Sequence, residues 1–408
     1  MQVRRKQKID KYIGYLLIAF LLPFTRLLGI TLRRDHSAKE APRRILFIKL
    51  LGLGSLVLAA DAIAALRQRY PNTRFILLTD ANIAAGIAPF GLFDEVIAMP
   101  TDRMGATLTG MARHLVRSWG WRGLWVIDLE VYSKLTTVLA LLTLARNRYG
   151  FYLSPVPFRK YLNTHNIPFS LSAFLEENYN FMARQVGGEA MAAVPTMEPT
   201  AGKTMEQAAA GLFSEPRVGE LRKPYILLNN TCSGLADVRR LPDQTFSEIC
   251  RWILDHTTYD LALLGAPGDK EDIDRFIWNA PDLYNKKDRI LNFAGMAADF
   301  ESYYRFLREK GVCLITIDSG PLHIARKLGL PTLSLWGPTD PANYLNVQPQ
   351  ERHRHLSYYL EVSCSPCVHR QETLPCGGDN ICMKNIQAGA IIGKIEELLQ
   401  RLGLPSLC

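Results

Sequence analysis

In the stretch TIDSGPLHIARKLGLP, Asp318 closes an apolar run, Ser319 and Gly320 form a turn, and a helix begins near Pro321. Amides at such a helix start carry a partial positive charge, which suits a diphosphate. A carboxylate at Asp318 would repel phosphate, so it suits sugar hydroxyls, while His323 in the first turn can donate to a phosphate or a departing oxygen. The same residues also fit a plain helix cap and a packed histidine. A second turn, KLLGLGSLVLAAD, sets Gly52 and Gly54 between an apolar strand and a helix. Val57 stands where a dinucleotide fingerprint needs its third glycine, and no Walker lysine follows. This turn therefore reads as a tight strand-to-helix connection or as the floor of a site, not as a nucleotide loop.

Cys364, Cys367, Cys376 and Cys382 lie in CSPCVHRQETLPCGGDNIC with the spacing C-x2-C-x8-C-x5-C. That spacing is compatible with a structural zinc site, with one or two disulfides, or with unbridged thiols packing a loop. Eight cysteines in 408 residues do not describe a secreted disulfide scaffold.

These residues need elements to hold them. The apolar runs RILFIKL, PNTRFILLTD, DEVIAMP and LWVIDLE alternate with helical stretches in the first half; KPYILLNN, DLALLG, RILNFAG, VCLITID and PTLSLWG do so in the second. Nearly all-apolar strands separated by helices indicate parallel sheets covered on both faces. The expected fold class is α/β, with two Rossmann-like doubly wound domains facing a cleft. We place a basic and apolar membrane-associating segment at 1–40, a first domain at 41–205 and a small, polar linker at 206–222. A second domain follows at 223–385, and a C-terminal helix at 386–408 packs back.

Lys and Arg outnumber Asp and Glu by 48 to 39, a formal charge of +9. With no nucleic-acid module visible and the basic residues gathered at the N-terminus, the expected anionic partner is a membrane surface. Tyr12 to Thr25 is uncharged but shorter than the ~20 residues of a straight span. Pro23 would kink or stop a helix there, and no small-residue cleavage site follows. With basic flanks on both sides, the segment reads first as an interfacial or re-entrant anchor on the cytoplasmic side. A tilted single span through Leu32 and a buried core helix are the alternatives.

The run IDSGPLHIARKLGLPTLSLWGPTDPANY resembles the C-terminal motif of the ADP-heptose:lipopolysaccharide heptosyltransferase family, glycosyltransferase family 9. The resemblance extends from residue 43 to about 400, through RILFIKLLGLGS, VIDLE, NNTCSGLADVRRLP, LLGAPGD, NFAGM and the CSPC cluster. It implies a GT-B fold and an inverting, metal-independent transfer of a sugar, with no cofactor required. The donor would be a nucleotide-diphosphate sugar and the acceptor a lipopolysaccharide-type or other glycolipid, at the cytoplasmic face of the inner membrane. On this resemblance Asp318, Ser319, Gly320 and His323 hold the transferred sugar and the diphosphate. Arg239, with Arg240 as an equal candidate, stands where a family lysine meets phosphate; Asn230 and Thr231 face the phosphates. Asp269 implies ribose recognition and Met296 the base pocket, although each of these four would also suit an ordinary loop or strand end. Gly52 and Gly54 become the acceptor-side loop.

One position departs from the family pattern. Ser55 stands where the family usually carries the aspartate resembling the general base, and a neutral hydroxyl cannot take a proton efficiently by itself. Glu130 is the first substitute, since it follows the end of a first-domain strand. Asp128 shares its face and Asp61 is the third candidate; the site could also lack a side-chain base. Two other readings stay open: a catalytically degenerate sugar-nucleotide-binding scaffold in a glycan assembly complex, and a nucleotide-sugar epimerase.

Overall fold

A computed structural model describes residues 3–33, 35–99, 104–153, 157–188, 224–232, 237–368, 370 and 374–405. The chain divides into two compact units, Met1–Met197 and Glu198–Cys408. The 206–222 connection and residues 233–236 lie outside the described residues.

In the first unit, six parallel strands are arranged β3-β2-β1-β4-β5-β6. They are β1 (Arg44–Lys49), β2 (Arg74–Asp80), β3 (Glu95–Met99), β4 (Leu124–Asp128), β5 (Asn147–Tyr152) and β6 (His165–Pro168). The apolar run of β1 is buried on both faces because it is central, pairing with β2 on one side and β4 on the other. At that junction the strand order reverses, and there ligands bind in open α/β sheets, outside the carboxyl ends of the strands.

The second unit repeats this plan. Its strands are β7 (Tyr225–Asn229), β8 (Asp260–Leu263), β9 (Ile290–Asn292), β10 (Gly311–Ile317), β11 (Thr332–Trp336) and β12 (His355–Tyr359), in the order β12-β11-β10-β7-β8-β9. The reversal falls between β7 and β10. The C-terminal helix Ala388–Arg401 buries Ile391, Ile395, Leu398 and Leu399 in the core of this same unit, together with Ile249 and Ile253 of the helix Asp243–His256. Two doubly wound α/β units of this kind make up a GT-B fold.

The N-terminal helix Val3–Leu32 runs through Pro23, where the sequence suggests a kink or stop. A proline removes one backbone donor, and that loss is outweighed here by docking along the helix. Asp10, Gly14, Ile18 and Leu22 recur at helical spacing and face the helix Lys134–Leu142 and its surroundings. Asp10 accepts from the Ser133 hydroxyl and from the amides of Lys134 and Leu135. Ile18 is buried with Val138, Leu141 and Leu162. Gly14 is required for this approach: a Cβ there would lie 2.4 Å from the Lys134 Cβ. Tyr12, Leu16, Phe20, Leu27 and Ile30 point outward and are exposed. By length and composition, Asp10–Leu32 could cross a membrane.

Candidate active site

In the first unit, β1 ends on Lys49 and β4 on Asp128, which pairs in register with Ile48, so both charges stand at the carboxyl ends of adjacent strands. Glu130 follows β4 and reaches back over β1. Its Oε2 takes the Lys49 ammonium at 3.0 Å, and its Oε1 accepts the amides of Leu50 and Leu51 at 2.8 and 2.9 Å. Both partners of this ion pair are buried, Lys49 at 6% and Glu130 at 7% exposure. Burial works against the Lys49 charge, but Glu130 overcomes it and holds the ammonium pKa above its ordinary value. Glu130 thus clips the start of the glycine turn to the end of β4.

Asp128 is wholly buried. Its Oδ2 accepts from Thr136 Oγ1 at 3.0 Å and meets the buried Arg159 guanidinium at 3.1 Å, while Oδ1 accepts the Glu130 amide at 3.0 Å. Burial nevertheless pushes its carboxyl up to about 6, with the Arg159 charge opposing and the Glu130 charge adding to the rise. Asp128 and Glu130 are thus linked through the Glu130 amide, while their carboxylates hold different partners. Asp61 is half-buried, in the first turn of the helix Ala60–Arg69.

The glycine turn itself is left-handed at Gly52 (φ 82°), which leads into the helix Leu53–Leu58. Gly54 is buried in that helix. The Ser55 hydroxyl donates to the Gly52 carbonyl at 2.8 Å. Beside it lies the buried Tyr179, whose phenol is pushed up by burial against the pull of the Lys49 charge. Lys49, Thr136, Arg159 and Tyr179 are absent from the sequence reading. Lys49 alone had a visible signal, as a charge ending an otherwise apolar strand.

In the second unit, Asp318 stands at the end of β10, buried beside Arg239 and His323. Arg239 Nη1 donates to Asp318 Oδ2 at 3.1 Å, and His323 Nε2 lies 3.8 Å from Oδ1. Burial alone would favour the neutral acid; the Arg239 charge and His323 outweigh it and hold the carboxyl well below the usual carboxylate range. Ser319 starts the helix Gly320–Lys327 without capping it. Its hydroxyl instead accepts the Asn229 amide at 3.0 Å; that amide also reaches Thr316 and the Thr231 carbonyl. Asn229, missed by the sequence reading in favour of its neighbour, thus ties the ends of β7 and β10. Asn230 exchanges two hydrogen bonds with the Leu241 backbone and so holds the loop that carries both arginines.

The two arginines part company. Arg239 faces Asp318, whereas Arg240 lines a groove of about 580 Å³ between the helices Asp243–His256 and Lys270–Asn279. Asn230 and Thr231 line the same groove; Asp318 and His323 do not. Asp269 follows β8, its carboxylate accepting the Ala266 amide at 2.8 Å. Met296 is buried in the turn after β9. All the expected donor-side residues therefore lie in the loops and helix starts that follow the carboxyl ends of β7, β8, β9 and β10.

Buried polar atoms in proteins are rarely left without partners. Two lie in this corner with none among the described residues: Arg239 Nε and His323 Nδ1. Cys364, Cys367, Cys376 and Cys382 are free thiols. No group of three or more His, Cys, Asp or Glu side chains among the described residues is arranged to hold a metal. Of the three readings left open by the cysteine spacing, the structural zinc therefore finds no ready ligand set among the described residues.

Residues 92–377 match the model of glycosyltransferase family 9 (heptosyltransferase), and the chain belongs to this family. Lipooligosaccharide heptosyltransferase 2 of Campylobacter jejuni is 31% identical to it over 84 residues, 21% of this chain and 25% of that protein. The match thus spans a quarter of the curated relative's length. Among solved structures, E. coli ADP-heptose lps heptosyltransferase II superposes with a TM-score of 0.61 at 15% identity, over 88% of this chain and 99% of the other. The family 9 glycosyl transferase of Veillonella parvula does so with a TM-score of 0.62 at 16% identity, over 90% and 99%. At such identity these two define the fold, in agreement with the paired parallel sheets.

Proposed function

We propose that the protein transfers a sugar from a nucleotide-diphosphate sugar, of the ADP-heptose class, to a lipopolysaccharide-type or other glycolipid acceptor, with inversion at the anomeric carbon. The observation that carries this reading is the Asp318–Arg239–His323 corner, with the unpartnered Arg239 Nε and His323 Nδ1 beside a helix start. An arginine fork and helix-start amides suit a diphosphate. Asp318, held ionised, suits hydroxyls of the transferred sugar.

The acceptor oxygen attacks the anomeric carbon as the bond to the diphosphate breaks and the electron pair leaves with the phosphate. Arg239 and the amides at the start of the helix Gly320–Lys327 offset the departing charge without need of a divalent ion. The acceptor's proton goes to a first-unit carboxylate. Of the close pair, Asp128 has no exposed surface, so we assign the role to Glu130. A carboxylate offers about four acceptor positions, and three of Glu130's are taken by Lys49, Leu50 and Leu51. Ser55 then orders the glycine turn and does not act as the base.

Membrane seating follows from the N-terminal helix, whose outer face offers aromatic and aliphatic side chains to lipid while its inner face stays docked. Such a helix lies in one leaflet, on the cytoplasmic side where basic flanks are retained.

Thermal unfolding of the protein with ADP, UDP and their sugar conjugates tests the donor assignment, because a ligand that binds only the folded state raises the midpoint. An ADP-sugar should raise it for wild type and leave Asp318→Asn and Arg239→Ala unmoved. A full shift in both variants would contradict the assignment. Binding by wild type with no transfer to any lipid acceptor would instead favour the scaffold reading, to which Ser55 gives its one structural support.

A further inference from the structure

We propose that the N-terminal helix is a working part of the acceptor-side centre, with Asp10 as a positioning residue, and not only a tether to lipid. This inference rests on the assignment of the acceptor side to the first unit.

The contacts form a continuous chain. Asp10 closes the start of the helix Lys134–Leu142 with three hydrogen bonds, to the Ser133 hydroxyl and the amides of Lys134 and Leu135. An acid placed there answers the orphan donors and partial positive charge of a helix start, and it comes from a segment 123 to 125 residues away in sequence. The same helix start holds the buried centre. Thr136 donates to Asp128, and Arg159 donates to the Ser133 carbonyl while pairing with Asp128. Asp128 in turn accepts the Glu130 amide, and Glu130 clips Leu50 and Leu51 at the entry to the glycine turn.

The packing supports the same link. The Lys134 stem lies against Gly14, and its ammonium sits 4.6 Å from the Tyr15 ring and 4.9 Å from the Phe158 ring. Tyr15 meets Phe158 edge-on, and Phe158 precedes Arg159. A mere tether needs one apolar face. This helix has a second face, and that face is bonded at Asp10, closely packed at Gly14 and buried at Ile18.

The test uses the full chain on vesicles of phosphatidylethanolamine and phosphatidylglycerol. It reads vesicle co-sedimentation, amide exchange at Lys134, Leu135, Leu50 and Leu51, and sugar transfer. Asp10→Asn should sediment with vesicles as wild type does. Its exchange should quicken at all four amides, with kcat lower by about fivefold to tenfold, the scale of a lost helix cap. The donor KM should stay unchanged, and Asp10→Glu should recover part of the loss. Leu16→Ser combined with Phe20→Ser should do the reverse, losing vesicle binding while keeping the wild-type exchange pattern. Thr136→Val covers the case in which Asp10→Asn fails to fold: it should quicken Leu50 and Leu51 while Lys134 and Leu135 stay protected. If Asp10→Asn or Thr136→Val leaves Leu50 and Leu51 at the wild-type rate, the inference is overturned. The exchange readout decides this even if wild type transfers no sugar, so failure of the proposed activity and failure of the coupling are told apart.

Discussion

Asp318 and Asp128 are both buried carboxylates paired with an arginine, yet they shift in opposite directions. Asp318 faces Arg239 and His323 and is held low; Asp128 has Arg159 but also Glu130, and rises to about 6. The signs lead to different acid and base behaviour. An acid whose folded pKa is raised contributes stability that is fully present below its ordinary pKa and is lost as pH rises through the folded value. The Asp128 contribution should therefore fade between about pH 4 and about pH 6, with a slope of up to ~1.4 kcal/mol per pH unit for one proton. Asp128→Asn should lack that slope in denaturant unfolding across this range. A depressed carboxyl such as Asp318 stabilises above its ordinary pKa, and its contribution is lost only as pH falls through the lowered native value. Asp318→Ala leaves the Arg239 charge uncompensated and should cost about 3–5 kcal/mol at neutral pH, the scale for breaking a buried pair. Unfolding midpoints within error of wild type would refute that estimate.

The elements turn these residues into sites, and the glycine turn is the clearest case. Gly52 has φ 82°, and a Cβ there would also lie 2.9 Å from the Ser55 hydroxyl oxygen. Gly52→Ala should therefore destabilise by about 1–2 kcal/mol, the left-handed penalty for an L-residue, and should reduce transfer further by shifting the turn. An unaltered midpoint and rate would separate the turn from function. Glu130→Gln should reduce transfer more than it reduces donor binding if, as proposed, the Lys49 pair and the turn serve the acceptor; equal losses in both would argue against that proposal.

Much of this scale was legible in the chain. The buried central strands announced themselves as unbroken apolar runs, and the corner at Asp318–His323 as a strand, a turn and a helix start. The strands β5, β6 and β12 were not legible, because none carries an unbroken apolar run. NRYGFY carries an arginine and a glycine, HNIP is four residues long, and HLSYY is only half-buried. The helix read as LVLAADAIAALRQRY is two, with Ala59 between Leu53–Leu58 and Ala60–Arg69. Arg159 and Tyr179 carry no local pattern at all. Their roles arise from contacts with Ser133, Asp128 and Lys49 across 26 residues or more, which periodicity cannot report.

At the scale of the molecule, two units with the same strand order each present carboxyl-end loops, but with different chemistry. The first offers a buried Lys49–Glu130–Asp128–Arg159 network under a glycine turn. The second offers an ionised aspartate, an arginine fork and a helix start. That asymmetry suits a two-substrate transfer, with the anionic donor proposed for the second unit, where the arginine and the helix start lie together. At the N-terminus, the docked helix should keep the full chain on anionic vesicles, with binding weakened by salt in proportion to the basic flank. Retention in the soluble fraction at low salt would oppose membrane seating.

The most direct measurement of the central claim is amide exchange of the full chain with and without an ADP-sugar. The expected footprint is protection at residues 230–232, 239–241 and 318–323 of the second unit. Protection confined to Gly52–Ser55, with Asp318 to His323 unchanged, would contradict it.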